Sequence, residues 1–138
     1  GGTAMRKITR QITEAFANRQ AKRSGNDEVT VHSLEHRRPH LKCVRLWLHR
    51  NKIAEQVFLD DHGDDFGYDT DILTVTLSGW GTNTTRERLC GLMRTLDLPI
   101  HFTQHKHEQY IRTATKGRKI GETEIISIDL NTGEEVQK

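Results

Sequence analysis

The chain has 138 residues, with 21 Lys and Arg against 19 Asp and Glu, a net charge of +2 with histidine neutral, and 33% apolar residues. One domain's worth of chain with so few apolar groups must have a thin core, and no apolar run approaches the ~18 residues of a membrane span or the shorter stretch of a secretory signal. Cys43 and Cys90 have no CxxC partner, which sets aside a disulfide framework or zinc ribbon and leaves a soluble protein with reduced thiols as the expectation.

Gly1 to Ala4 ahead of Met5 read as a vector-derived remnant, and residues 5–138 as a single domain. From Arg6 to Arg19 the apolar residues Ile8, Ile12, Ala15 and Phe16 follow helical spacing. The Arg23-Ser24-Gly25-Asn26-Asp27 stretch breaks that helix, and Val29 to Leu34 alternates as a short strand. His36 to Lys42, with Arg37, Arg38 and Pro39, reads as a polar connection. Val44, Leu46 and Leu48 then alternate with Arg45, Trp47 and His49, and Ile53, Val57 and Leu59 resume period two after a turn near Arg50-Asn51, which predicts a β-hairpin. An acidic loop from Asp60 to Asp71 leads to a strand around Leu73, Val75 and Leu77.

A second helix follows Gly79-Trp80-Gly81. Thr84-Thr85-Arg86-Glu87 fits a capping box with Thr84 as the cap and Glu87 reaching back to it, and Leu89, Leu92, Met93 and Leu96 supply the apolar stripe before Pro99. Strands are expected at Ile100 and Phe102, at Gln109 to Arg112 and at Glu124 to Leu130, closed by the Asn131-Thr132-Gly133 turn. The predicted fold is α+β, a single domain with one mainly antiparallel sheet and two helices packed on one face.

Charge falls in blocks: +7 over residues 5–59, −6 over 60–71, +5 over 84–119 and −4 over 120–138. A near-neutral total therefore conceals basic segments, which attract polyanions, and acidic ones. The basic segments also carry rings. Arg45, Trp47 and His49 share one face of the hairpin, and Trp80 precedes the second helix, where it either stacks a base or anchors the core. Arg86 and Arg88 sit in that helix's first turn, where a cation is unfavourable unless an anion binds. A third cluster joins His101, His105, Lys106, His107, Tyr110 and Arg112 to Lys116, Arg118 and Lys119.

The run Leu46-Trp47-Leu48-His49-Arg50-Asn51-Lys52-Ile53-Ala54-Glu55, then Gly79-Trp80-Gly81 and Thr84-Thr85-Arg86-Glu87-Arg88-Leu89, resembles a family of small proteins encoded by tailed bacteriophages. The resemblance spans about residues 44–112, including Gln109-Tyr110, and implies a phage origin with no assigned catalytic residues. The basic connection at 35–42 and the acidic loop at 60–71 depart from that pattern.

Eight histidines invite a metal reading, but neither the His32, His36, His40 series nor the His101, His105, His107 series matches a ligand motif, and the acidic loop lacks calcium-loop spacing. No nucleophile triad, Walker loop or dinucleotide fingerprint is present. The expectation is a non-enzymatic protein without metal or cofactor, binding nucleic acid in the host cytoplasm, with single-stranded DNA favoured, in phage replication or transcription. The alternative is a host-protein inhibitor or interaction module acting through its acidic surface. Neither reading fixes whether the chain forms a homo-oligomer.

Overall fold

The computed structural model describes residues 5–60, 64–65 and 67–136. Residues 1–4, read above as a remnant, and the loop residues Asp61, His62 and Gly63 lie outside the described residues. Among the described residues two helices and nine strands build the α+β domain: α1 (Lys7–Ala17), β1 (Lys22–Ser24), β2 (Asp27–Glu35), β3 (Arg38–Leu48), β4 (Asn51–Leu59), β5 (Ile72–Val75), α2 (Asn83–Thr95), β6 (His101–His105), β7 (Glu108–Arg112), β8 (Gly117–Ile120) and β9 (Ile126–Asp129).

The strands form two antiparallel sheets instead of one. The large sheet has the order β1-β2-β3-β4-β5-β9, and the small sheet the order β6-β7-β8. Val29, Val31, Val44 and Leu46 line one face of the large sheet in register, and Ala54, Leu73, Val75, Ile126 and Ile128 continue it. Ile12, Ala15 and Phe16 of α1 and Leu89, Leu92 and Met93 of α2 pack on that face, and Phe102, Ile111 and Ile120 of the small sheet complete the same core. Each fully buried side chain of this size contributes roughly 1.5–3 kcal/mol.

The predicted hairpin is β3 and β4, joined at His49 (φ 50) and Arg50 (φ 65). Positive φ at both positions defines the turn whose twist matches the flanking strands. A bulge shifts the register between Leu46↔Ala54 and Trp47↔Lys52, and it turns both Ile53 and Ala54 inward. The segment His36 to Lys42, expected to be a connection, is instead a second hairpin, because β2 and β3 pair out to Glu35↔Arg38. Pro39 is accommodated there because the β2–β3 ladder is interrupted between Ser33 and Glu35 and the β4 pairing begins only at Leu41.

The start of α2 also differs from expectation. The N-cap is Thr82, whose hydroxyl accepts from the Thr85 N–H at 3.2 Å. Glu87 does not reach back to the cap. It accepts from Thr9 Oγ1 at 2.6 Å and lies 3.3 Å from Arg6, so it joins α2 to α1. The two helices touch closely at Gly91, where a Cβ would stand 2.3 Å from Thr9 Cγ2.

Candidate nucleic-acid interface

The small sheet separates its residues sharply by side. Phe102, Gln109, Ile111 and Ile120 are buried, whereas His101, Thr103, His105, Glu108, Arg112 and Lys119 are exposed around a half-buried Tyr110. The register sets Thr103, Tyr110 and Lys119 in one row across the three strands, with His101 and Arg112 paired in the next. Lys119 Nζ donates to Glu108 Oε1 at 2.7 Å, and the Tyr110 hydroxyl donates to Glu108 Oε2 at 3.2 Å. Those bonds from Lys119 and Tyr110 hold the Glu108 carboxyl below its ordinary range, and Glu108 in turn raises the Lys119 ammonium. Lys106 and His107 occupy the tip between β6 and β7 at φ 50 and φ 67, and Lys116 the exposed turn between β7 and β8. Among the described residues, the Arg112 and Lys106 side chains make no hydrogen bond or ion pair.

Tyr110, Arg112 and Lys119 thus share one face of the small sheet, and Lys106 and Lys116 lie in the exposed turns that join its strands. Arg118 does not share that face. It lies on the inner side with Ile111, and its guanidinium bonds Glu124 and Glu135, which raise its pKa further. Arg88 must also be withdrawn as an anion contact. Its side chain is 4% exposed, and Nε lies 2.6 Å from Asp27 Oδ1, with Nη1 on Thr9 and Glu87. Thr85, Arg88, Leu89 and Leu92 occupy one buried stripe of α2, and this i, i+3, i+4, i+7 spacing was the signal that Arg88 faces inward.

Arg86 is a bracket. Its guanidinium donates to Gly81 O at 2.8 Å, to the side-chain oxygens of Gln104 and Gln109 at 2.8 and 2.9 Å, and to Asn83. It therefore fixes the start of α2 to the β6–β7 hairpin, and a Cβ on Gly81 would meet Gln109 Nε2 at 2.8 Å.

The large sheet presents a different surface. On its outer face Thr30, Arg45, Glu55 and Thr74 stand in one row, and Trp47 donates from Nε1 to Thr30 Oγ1 at 2.9 Å. Arg45 and Lys52 both bond Glu55; burial raises the Glu55 carboxyl, but these two bonds outweigh it and leave the group below its ordinary range. Arg45 is therefore neutralised in place. His49 has left this face for the turn, where it lines two cavities, one with Trp80 and one with Trp47. Trp80 is 55% exposed, which excludes the core-anchor role. Arg23 and Arg50 line the Trp47 cavity and were not singled out in the sequence, where they look like ordinary turn and linker cations.

The thiols are structural. Cys43 is fully buried with Sγ 3.1 Å from His32 Nε2, and burial pushes its pKa up. Cys90 is raised by burial as well, and its Sγ bridges the Phe102 N–H and carbonyl at 3.4 Å, so that a side chain of α2 occupies the free edge of β6. Among the described residues no group of three or more His, Cys, Asp or Glu converges as metal ligands, and no helix is long and apolar enough to cross a membrane. No curated protein and no solved structure matches the chain. The tailed-phage resemblance carried by residues 44–112 extends over nearly the whole length, for residues 5–137 match the family described as Kyanoviridae Gp96 protein, and the chain belongs to that bacteriophage family.

Proposed function

We propose that the protein binds single-stranded nucleic acid, single-stranded DNA in the first place, through the exposed face of the β6–β8 sheet, in phage replication or transcription in the host cytoplasm. The observation that carries this reading is the placing of Tyr110 in the middle strand between Thr103 and Lys119, with Arg112 beside it free of any partner among the described residues. An aromatic ring on an open sheet stacks an unpaired base of any identity, and cations around it neutralise the backbone phosphates. A duplex hides its bases from such a ring, so the single strand is preferred. The acidic surface supports the host-protein alternative less well. Asp60 is paired with Lys42, and Glu124 and Glu135 are taken up by Arg118.

Fluorescence anisotropy with a labelled oligothymidylate and a duplex of equal length, at 50 and 200 mM salt, tests the reading. Tighter binding of the single strand, a steep loss with salt, and loss of affinity in Tyr110→Ala and Arg112→Ala with unchanged melting are expected. The absence of binding at micromolar protein and 50 mM salt refutes it, as does binding that both substitutions leave intact.

A further inference from the structure

The two cavities beside the His49–Arg50 turn each have a tryptophan in the wall. One, of about 390 Å3, has Leu48, Ile53 and Leu77 as an apolar floor, Trp80 at its lip, and Thr84 and His49 at the rim. The other, of about 340 Å3, lies on the Trp47 side and is bordered by Arg23, Glu28 and Arg50. Both volumes fall in the range of small-ligand pockets, roughly 300–1,000 Å3.

Three features restrict the occupant. A large ring left 55% in water above an apolar floor matches a flat partner that stacks on it. The rim supplies hydroxyl and imidazole groups for the polar edge of such a ring. Arg23 and Arg50, both in the wall of the Trp47 cavity, form no side-chain hydrogen bond or ion pair among the described residues, so that side of the turn has cations available for an anion. Of the two carboxylates in the Trp47 cavity, Asp27 is committed to Arg88, and Glu28, opposite Arg23 in the β1–β2 ladder, offsets only one of the two guanidiniums. An apolar peptide side chain satisfies the floor but leaves the guanidiniums without a counter-charge. A nucleotide satisfies the ring, the edge and the cation together.

We propose that the β3–β4 turn is a nucleotide-binding ridge: an unpaired base enters the cleft and stacks on Trp80, and the adjoining phosphate lies over Arg50 toward Arg23. This rests on the nucleic-acid reading above, but it places a second contact on the tip of a different sheet. The turn also provides a clean variant. His49 and Arg50 hold φ 50 and φ 65, a region that glycine adopts without penalty, so Arg50→Gly removes the guanidinium without straining the fold.

The chain has two tryptophans, so Trp47→Phe leaves Trp80 as the single indole reporter. In that background, a 12-residue oligothymidylate is titrated while Trp80 emission and oligonucleotide anisotropy are followed together. Emission is expected to be quenched with the same midpoint as the anisotropy rise. Trp80→Ala and Arg50→Gly, made in the parent, should each weaken binding by about fivefold or more, the loss for one stacked base or charged contact, with melting not lowered in Arg50→Gly. Tyr110→Ala should weaken binding yet leave the quench amplitude at saturation unchanged. Binding with unaltered Trp80 emission, and with parental affinity in both ridge variants, overturns the ridge while the small-sheet reading stands. The absence of any binding at 50 mM salt removes both.

Discussion

Replacing Asp27 with alanine removes a carboxylate that is 3% exposed and faces a guanidinium that is 4% exposed. Arg88 would lose its bonds from Nε at 2.6 Å and from Nη2 at 3.3 Å, while Nη1 keeps Thr9 and Glu87. Two buried donors left without acceptors cost about 1–3 kcal/mol each, in line with the ~3–5 kcal/mol found when one partner of a buried pair is removed. Because Asp27 also lines the Trp47 cavity, water can reach the vacated position, and a loss near 3 kcal/mol is expected. For a chain of this length that lowers melting by roughly 10 °C. Urea unfolding followed by far-ultraviolet circular dichroism gives the loss directly, provided the m-value holds. The double variant Asp27→Leu with Arg88→Met removes both charges together, so it should recover most of the stability lost by Asp27→Ala. An Asp27→Ala loss under about 1 kcal/mol, or a double variant no better than the single, would refute the reasoning.

Thr82→Ala should cost about 1 kcal/mol through loss of the cap, whereas Thr84→Ala should change stability by no more than a few tenths, both read from urea midpoints. Gly91→Ala sets a helix-propensity gain of about 1 kcal/mol against overpacking on Thr9 of about 1–3 kcal/mol, and a net fall in melting temperature is expected. Burial raises the carboxyls of Glu55 and Glu87, but bonds from Arg45 and Lys52 in one case and from Thr9 and Arg6 in the other bring both below the ordinary range. A depressed carboxyl stabilises the fold above its unfolded pKa and loses that contribution as pH falls through its folded one. Melting should therefore be level from pH 8 to about 5 and decline below about pH 4, and a decline that begins above pH 6 would contradict it.

The β3–β4 hairpin was legible because strict alternation from Val44 to Leu48 has no competing helical reading. Three- and four-residue strands such as β1 and β8 carry too few alternations to announce themselves, and Lys22–Ser24 and Gly117–Ile120 look like loops in isolation. The cap was misplaced by two residues because Thr82, Thr84 and Thr85 offer equivalent hydroxyls, and only the tertiary pull of Thr9 and Arg6 on Glu87 decides among them. At the candidate interface, composition alone singles out the cations of the β7–β8 segment as candidates. Composition did not separate Arg112, which faces outward, from Arg118, which is taken up by Glu124 and Glu135, since that depends on partners near the C-terminus.

Val75 and Ile126 face each other in the β5–β9 ladder, so α2 and the whole small sheet are, topologically, the loop of one very long hairpin. The ladder is expected to close last during folding, because β2, β3 and β4 are joined by two-residue turns while β9 must wait for the excursion. On the ribosome β5 emerges early and presents an unpaired edge until its partner is synthesised. Its four-residue length limits how far another nascent chain can pair with it. Weakening the Leu73↔Ile128 pair should accordingly speed unfolding with little effect on the folding rate, whereas weakening Val29↔Leu46 should slow folding.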